Sequence, residues 1–431
     1  MLTIVAAALL AVALRWYVVV HAQVLQPLDD PEVRGDAVDY FRYAWNLVHH
    51  GTFAITLPGA GAPLPDSYRD PGYPLFLAAW MVVFPAFSTW YAAVLLSQGV
   101  LWGITVACLG LALRRAVPSW ALAIALFLAA AWPHTVAMSA YVLSENLTAA
   151  TWAAALLATQ LAARQPSALR CILAGLLFAC AGLTNAVLAP LIVPVAALLR
   201  WRHAMAWQPL AIMLAAALAP IAAWGARQAD LAADGTSAYR ATQNFVQGSW
   251  PLYHEAYRRH AYGDADADRV LAAIDSEIEA VHAAARDGLR IIGDRMGAHP
   301  WMYAGWYVSK PGLLWGWDIR IGQGGIYVYP TRGSPYEKQP VFRATEAIAF
   351  VLNPVLAVLA LGGLGFVLAR RDAPAPLIVV ATTVAWVTLV YGVLQSEPRY
   401  AIPFRGAEFV LAAVALDGLR RLISRPETQY A

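Results

Sequence analysis

Long apolar runs alternate along this chain with short turns that carry arginine, and that alternation leaves little choice of fold. A run of roughly 20 apolar residues is the length a helix needs to cross a bilayer. Inside hydrocarbon the backbone must satisfy its own hydrogen bonds, which a helix does within a single segment. Only 13% of the residues are charged and 60% are hydrophobic, against roughly 25% charged in a soluble domain. The expected fold is an all-α polytopic membrane protein.

The turns set the topology. Apolar runs at 1–24, 90–113, 119–138, 146–163, 169–183, 186–199, 206–224, 344–368, 377–394 and 402–419 give about ten spans. Arg114 and Arg115, Arg164 and Arg170, Arg200 and Arg202, Arg370 and Arg371, and Arg420, Arg421 and Arg425 then all lie on one side. Arginine in the short loops marks the cytoplasm, so both termini are expected to be cytoplasmic. The first run lacks a basic start and is interrupted by Arg15, so it reads as a retained span rather than a signal peptide. Arg15 itself predicts a contact to another helix or to a lipid head group. The run at 73–87 is short and bounded by Pro74 and Pro85. Read as a span it would move Arg114 and Arg115 to the wrong side, so it is expected to be a juxtamembrane helix.

Three regions follow: a membrane module at 1–224 with a polar first outer loop at 26–88, an outer segment at 225–341, and C-terminal spans at 342–431. The loop opens near Arg34. From 37 to 50, Val38, Phe41, Trp45 and Val48 alternate with Asp39, Arg42, Asn46 and His49 at steps of three and four, the pattern of an amphipathic helix. Its aromatics are expected to face lipid, and Gly51 to stop it. The outer segment is expected to be mostly helical, with one helix over 267–296, and it holds both lysines, Lys310 and Lys338. Cys108, Cys171 and Cys180 lie in apolar runs without metal-site spacing and read as packing residues.

Charged residues from separated parts of the chain converge on the outer side. Asp36, Asp39, Arg69 and Asp70 come from the first loop, Glu145 opens the span in Leu143-Ser144-Glu145-Asn146, and Glu397-Pro398-Arg399-Tyr400 precedes the last span. Transfer from a lipid phosphate needs such a set: a carboxylate to take a proton, arginines to hold a phosphate, and a second carboxylate able to bind a divalent cation. Each residue also has a structural reading. Asp36 is well placed as an N-cap, Glu145 suits the start of its own helix, and Arg399 and Tyr400 suit the interface.

Taken together, these motifs resemble the GT-C glycosyltransferases that use polyprenyl-phosphate sugars, such as protein O-mannosyltransferases and the transferases that add aminoarabinose to lipid A. The matching residues are Gly35, Asp36, Tyr40, Ala44, Leu47 and Gly51, then the run from Arg69 to Phe76, Glu145, and the run from Glu397 to Pro403. The resemblance implies an inverting hexosyl- or pentosyltransferase acting at the periplasmic face. Its partners would be a polyprenyl-phosphate sugar, an envelope lipid, glycan or protein acceptor, and the bilayer, with no nucleic acid. Asp36 and Asp39 are the implied catalytic acids. Tyr40, Arg69, Asp70, Lys310, Arg399 and Tyr400 are implied in substrate binding, and Asp36 with Glu145 in holding a divalent cation (Mg, Mn or Zn). A transporter or flippase of a lipid-linked sugar is the alternative. It would need polar groups through the depth of the bundle, whereas apart from Arg15 the charges are expected at helix ends.

Overall fold

The computed structural model describes residues 1–28, 30, 33, 35–320 and 325–424. Arg34 and Arg425 lie outside the described residues. The chain begins with α1 (Leu2–His21) and a two-residue strand β1 (Gln23–Val24), followed by α2 (Asp36–His50) and α3 (Gly72–Val83). Then come α4 (Phe87–Leu113), α5 (Ser119–Ala131), α6 (Pro133–Ala137), α7 (Glu145–Arg164), α8 (Ala168–Thr184), α9 (Ile192–His203) and α10 (Trp207–Arg227). The outer segment contains α11 (Ser237–Gly248), α12 (Tyr253–His260), α13 (Ala265–Ala283), α14 (Ala285–Ala298), α15 (Pro300–Leu314), strand β2 (Thr331–Arg332) and α16 (Pro335–Lys338). Helices α17 (Pro340–Ala369), α18 (Ala375–Val393), α19 (Pro398–Ala401) and α20 (Arg405–Ile423) complete the fold.

Among the described residues, six helices are long and apolar enough to cross a membrane: α1, α4, α17, α18, and α9 and α10 each extended by a short turn. The bent pair α5–α6 makes a seventh, with a 46° break. Helices α7, α8 and α20 pack into the same bundle but are shorter or more polar. Length and composition therefore give six or seven of the expected ten crossings. The bend lies at Pro133, which has no N–H to give the preceding turn. Two other donors take the carbonyls there: Trp102 Nε1 reaches Ala129 O at 2.8 Å, and Arg15 Nη1 reaches Ala130 O at 2.8 Å. Arg15 also donates to Thr135 Oγ1 at 2.9 Å and is fully buried. Its contact is thus to a neighbouring helix.

The first loop folds onto the bundle. Helix α3, 12 residues long, spans about 18 Å, well short of the roughly 30 Å hydrocarbon core, and it packs on α2 and α4. Helix α2 starts at Asp36 and ends at Gly51, whose φ of 63° is the left-handed conformation that glycine adopts without a Cβ penalty. Its apolar face meets protein rather than lipid: the Phe41 ring lies 5.3 Å from Trp90 and 6.0 Å from Phe87. This corrects the expected orientation, because α3 and the start of α4 fold back over that face. In the outer segment the single helix expected over 267–296 is a hairpin of α13 and α14. Ala284 is extended (φ −152°, ψ 95°), and a Cβ at Gly288 would stand 2.4 Å from the Val281 backbone, so only glycine admits so close a return.

The two ends of the bundle differ in charge. At one end Arg114 Nη1 meets the Met1 sulfur at 3.3 Å, Arg202 donates to Arg370 O at 2.7 Å, and Arg420 lies over the Trp120 ring. The arginine turns therefore gather there. Helix α7, 20 residues long and so about 30 Å, carries Arg164 to this end and Glu145 to the other. Strand β1 pairs antiparallel with β2, Gln23 opposite Arg332 and Val24 opposite Thr331, above the Glu145 end.

Candidate active site

Helix α2 begins with Gly35 as its N-cap, at a positive φ of 156° (ψ 166°) that favours glycine, and without a side-chain cap. Asp36 is the first helical residue, so its carboxylate is not used as a cap, as the capping reading had it. It points to two arginines. Arg69 Nη1 lies 2.7 Å from Asp36 Oδ1, and Arg399 Nη2 lies 2.6 Å from Asp36 Oδ2. Each arginine has a second acid: Arg69 Nη2 meets Asp39 Oδ2 at 2.6 Å, and Arg399 Nε meets Glu145 Oε1 at 2.5 Å. The order Asp39–Arg69–Asp36–Arg399–Glu145 is a chain of alternating charge drawn from α2, the loop before α3, α19 and α7.

Exposure separates the members. The side chain of Asp36 is 25% exposed and those of Arg69 and Arg399 14%, but Asp39 only 3% and Glu145 7%. A ligand entering from the outer side meets Asp36 and the two guanidiniums first. Burial alone would raise the Asp36 carboxyl, but the charges of Arg69 and Arg399 outweigh it and hold the group well below the usual carboxylate range. Burial beside Asp36 pushes the Tyr40 and Tyr329 hydroxyls up to about 12.

Aromatic and polar groups fix this chain in place. Arg69 lies over the Tyr68 ring at 5.2 Å and the Tyr40 ring at 5.8 Å. Tyr40 donates to Ser144 Oγ at 3.4 Å and meets the Tyr73 ring edge-on at 5.0 Å. Tyr73 in turn donates to Gln98, whose amide holds the carbonyls of Ser139 and Tyr141 just before α7. Asp70 faces away from this chain: Arg240 Nη2 meets its Oδ1 at 2.6 Å and the Ala186 N–H its Oδ2 at 3.1 Å.

The other expected residues stand apart. Lys310 donates to the carbonyls of Gly248 at 2.9 Å, Leu394 at 2.5 Å and Val393 at 3.3 Å, joining the ends of α11 and α18. Tyr400 stacks on Tyr391 at 4.9 Å. Asp36 and Glu145 converge, and the group between them is the Arg399 guanidinium. Glu145 Oε2 is buried without a hydrogen-bond partner, so one hard oxygen remains able to bind a cation. No group of three or more His, Cys, Asp or Glu side chains arranged for a metal occurs among the described residues.

Two nearby residues escaped the sequence reading. Arg240 sits on α11, in the segment where the motifs fade and no local signal marks it; a turn later Gln243 accepts a hydrogen bond from Tyr68 on the same side. Tyr329 arrives with β2, its hydroxyl 3.6 Å from where a Gly35 Cβ would be. The buried charges were also incompletely read: Arg405 and Glu408 lie fully inside the bundle, paired at 2.7 Å. The short α19 and the turn after it carry the chain inward before α20 begins, so these residues are deeper than the sequence distance from Arg399 suggested.

Neither a protein-family model nor a curated protein sequence matches the chain. Solved structures do. The apo oligosaccharyltransferase of Archaeoglobus fulgidus aligns at 16% identity and a TM-score of 0.51, over 99% of this chain and 52% of that one. The oligosaccharyltransferase AglB from the same organism, in complex with an inhibitory peptide and a dolichol-phosphate, aligns at 16% identity and a TM-score of 0.50, over 100% and 52%. The A. fulgidus enzyme in complex with Zn and sulfate aligns at 14% identity and a TM-score of 0.51, over 98% and 49%. This chain spans about half the length of those it matches. It shares its fold with the archaeal oligosaccharyltransferase over about half of that chain.

Proposed function

We propose that the protein is an inverting glycosyltransferase that moves a sugar from a polyprenyl-phosphate donor to an envelope lipid, glycan or protein at the periplasmic face of a bacterial inner membrane. The observation that carries this reading is the exposed Asp36 held between Arg69 and Arg399. The likeness to an enzyme that binds a dolichol-phosphate supports it. While both guanidiniums sit on Asp36 the carboxylate is ionised but a weak base. A donor phosphate competes for them, since charge-assisted bonds to phosphate are strong. As Arg69 and Arg399 turn to the phosphate, Asp36 regains basicity where the acceptor hydroxyl arrives. The acceptor oxygen then attacks the anomeric carbon and its proton passes to Asp36. The carbon–oxygen bond to phosphate breaks with its electron pair leaving on the phosphate, which the two arginines stabilise. Asp39 and Glu145 keep the arginines oriented throughout.

A divalent cation (Mg, Mn or Zn) belongs to the proposal as a second element, supported by the free Glu145 oxygen and by the Zn and sulfate complex of the archaeal enzyme. Glu145 and Asp36 would hold it, and it would neutralise phosphate charge. Chelation that abolishes transfer, with recovery on adding metal, supports the cation; unchanged transfer removes it. The transporter reading is disfavoured because the buried charges Arg15 and Arg405 are already bonded to neighbouring protein groups. The deciding experiment is mass spectrometry of lipid-linked sugars and envelope glycans with and without the protein. Accumulation of a polyprenyl-phosphate sugar together with loss of one glycan modification is the expected result. Unchanged pools of both would overturn the transferase reading.

A further inference from the structure

At the end of the bundle opposite Asp36, a cavity of about 240 Å³ opens between the turn after α4, the last turns of α7 and α9, and the start of α18. Arg115, Gln160, Arg164 and His203 line it, with Ala375 and Pro376 at the first turn of α18. Gln160 and Arg164 are four residues apart and so share one face of α7. Gln160 is only 9% exposed, and its amide lines the cavity without a hydrogen-bond partner among the described residues. Arg115 and Arg164 are exposed and make no ion pair among the described residues. Neighbouring basic groups are engaged: Arg202 holds the carbonyls ending α17, and Arg370 pairs with Asp372 at 2.7 Å. Among the described residues no carboxylate lines the cavity. Helix α18 starts at its rim without a side-chain cap, adding the positive end of a helix dipole.

Two arginines, an unpaired amide and a helix N-terminus converge without a counter-anion among the described residues. The same end carries exposed tryptophans, Trp201 at 73% and Trp207 at 66%, residues that mark the head-group layer of a membrane. Basic pockets between spans at this level suit lipid phosphates. We propose that this cavity binds the phosphate head group of an anionic lipid in the leaflet at the arginine-rich end.

The test is native mass spectrometry of the full chain in detergent with phosphatidylglycerol, phosphatidylethanolamine or inorganic phosphate. The parent is expected to retain one phosphatidylglycerol in preference to phosphatidylethanolamine. The double change Arg115→Ala/Arg164→Ala should weaken that binding roughly 30-fold. Gln160→Met leaves the arginines and the helix intact and should weaken it roughly 2- to 10-fold, so the test survives even if the double variant folds poorly. Equal retention of phosphatidylglycerol by parent and variants would overturn the proposal, as would equal retention of both lipids by the parent. Inorganic phosphate that binds as tightly as the lipid and displaces it would assign the cavity to a soluble phosphate compound and overturn the lipid reading.

Discussion

Two of the arginine–carboxylate sets in this molecule are built for opposite ends. The inner set is local: Arg405 and Glu408 are three residues apart on α20, fully buried, and Arg405 also donates to Gly316 O at 2.7 Å and Asn353 Oδ1 at 3.2 Å. Its Nη donors go to backbone and side chains packed around it, and its Nε has no partner among the described residues. The outer set draws its members from across the sequence, and its central acid is a quarter exposed. There each arginine is shared between two acids, so neither depends on Asp36 alone. A guanidinium with a spare acid can release one partner to a ligand, whereas one wedged among carbonyls cannot. Sharing, together with access, separates a site from a brace.

The largest effect expected is on chemistry at the outer set. Asp36→Asn should lower transfer by on the order of 10²–10⁴-fold. It should lower the unfolding temperature only slightly, because Arg69 keeps Asp39 and Arg399 keeps Glu145. Single-turnover transfer measured beside thermal unfolding checks this, and full activity would reduce the outer set to a brace like the inner one. Next comes stability at the inner set. Arg405→Ala strands Glu408 in the bundle and should cost about 3–5 kcal/mol, read by unfolding in detergent. The double change Arg405→Met/Glu408→Leu should recover most of that loss; a double variant as unstable as the single would show that Arg405 matters for its carbonyl contacts rather than its charge.

Smaller effects sharpen the contrast. Arg69→Ala or Arg399→Ala should weaken binding of a polyprenyl-phosphate analogue about 10- to 100-fold, the worth of a charge-assisted contact; titration calorimetry on the folded variants reads it. The smallest effect is with pH. Arg69 and Arg399 depress the Asp36 carboxyl, so its contribution to stability is complete above the ordinary aspartate value of about 3.9 and falls away as the pH drops through the lower folded value. The difference in unfolding temperature between parent and Asp36→Asn should therefore stay flat from neutral pH to about pH 5 and shrink only in stronger acid. A difference that changed near pH 7 would mean that another group dominates.

Much of this was legible in the chain because local rules governed it. Apolar runs and arginine turns gave the bundle and its charged end, Pro85 and the short run before it gave α3, and Gly51 gave the end of α2. The meeting of Asp36, Arg69, Glu145 and Arg399 followed from their shared position at outer helix ends. What stayed hidden depends on contacts between distant segments. Nothing near Arg240 encodes that α11 reaches Asp70, and two-residue strands such as β1 and β2 have no periodicity to read. The burial of Phe41 was missed because an amphipathic face looks the same whether lipid or α3 covers it. The α13–α14 hairpin was missed because Gly288 within a helical pattern reads as a minor weakness rather than a point of close approach.

The short ladder between Val24 and Thr331 sets an order of assembly. Synthesis runs from the N-terminus, so the first loop emerges with Asp36 and Arg69 long before β2 and, later still, Arg399. Closing so long a loop adds little entropic cost for each further residue, so the ladder can wait for its partner strand. Until β2 arrives Asp36 lacks Tyr329 beside it, and until α19 arrives it has one arginine instead of two. The outer site is thus completed only once α19 has been made, and a nascent chain halted before it holds Asp36 with Arg69 alone.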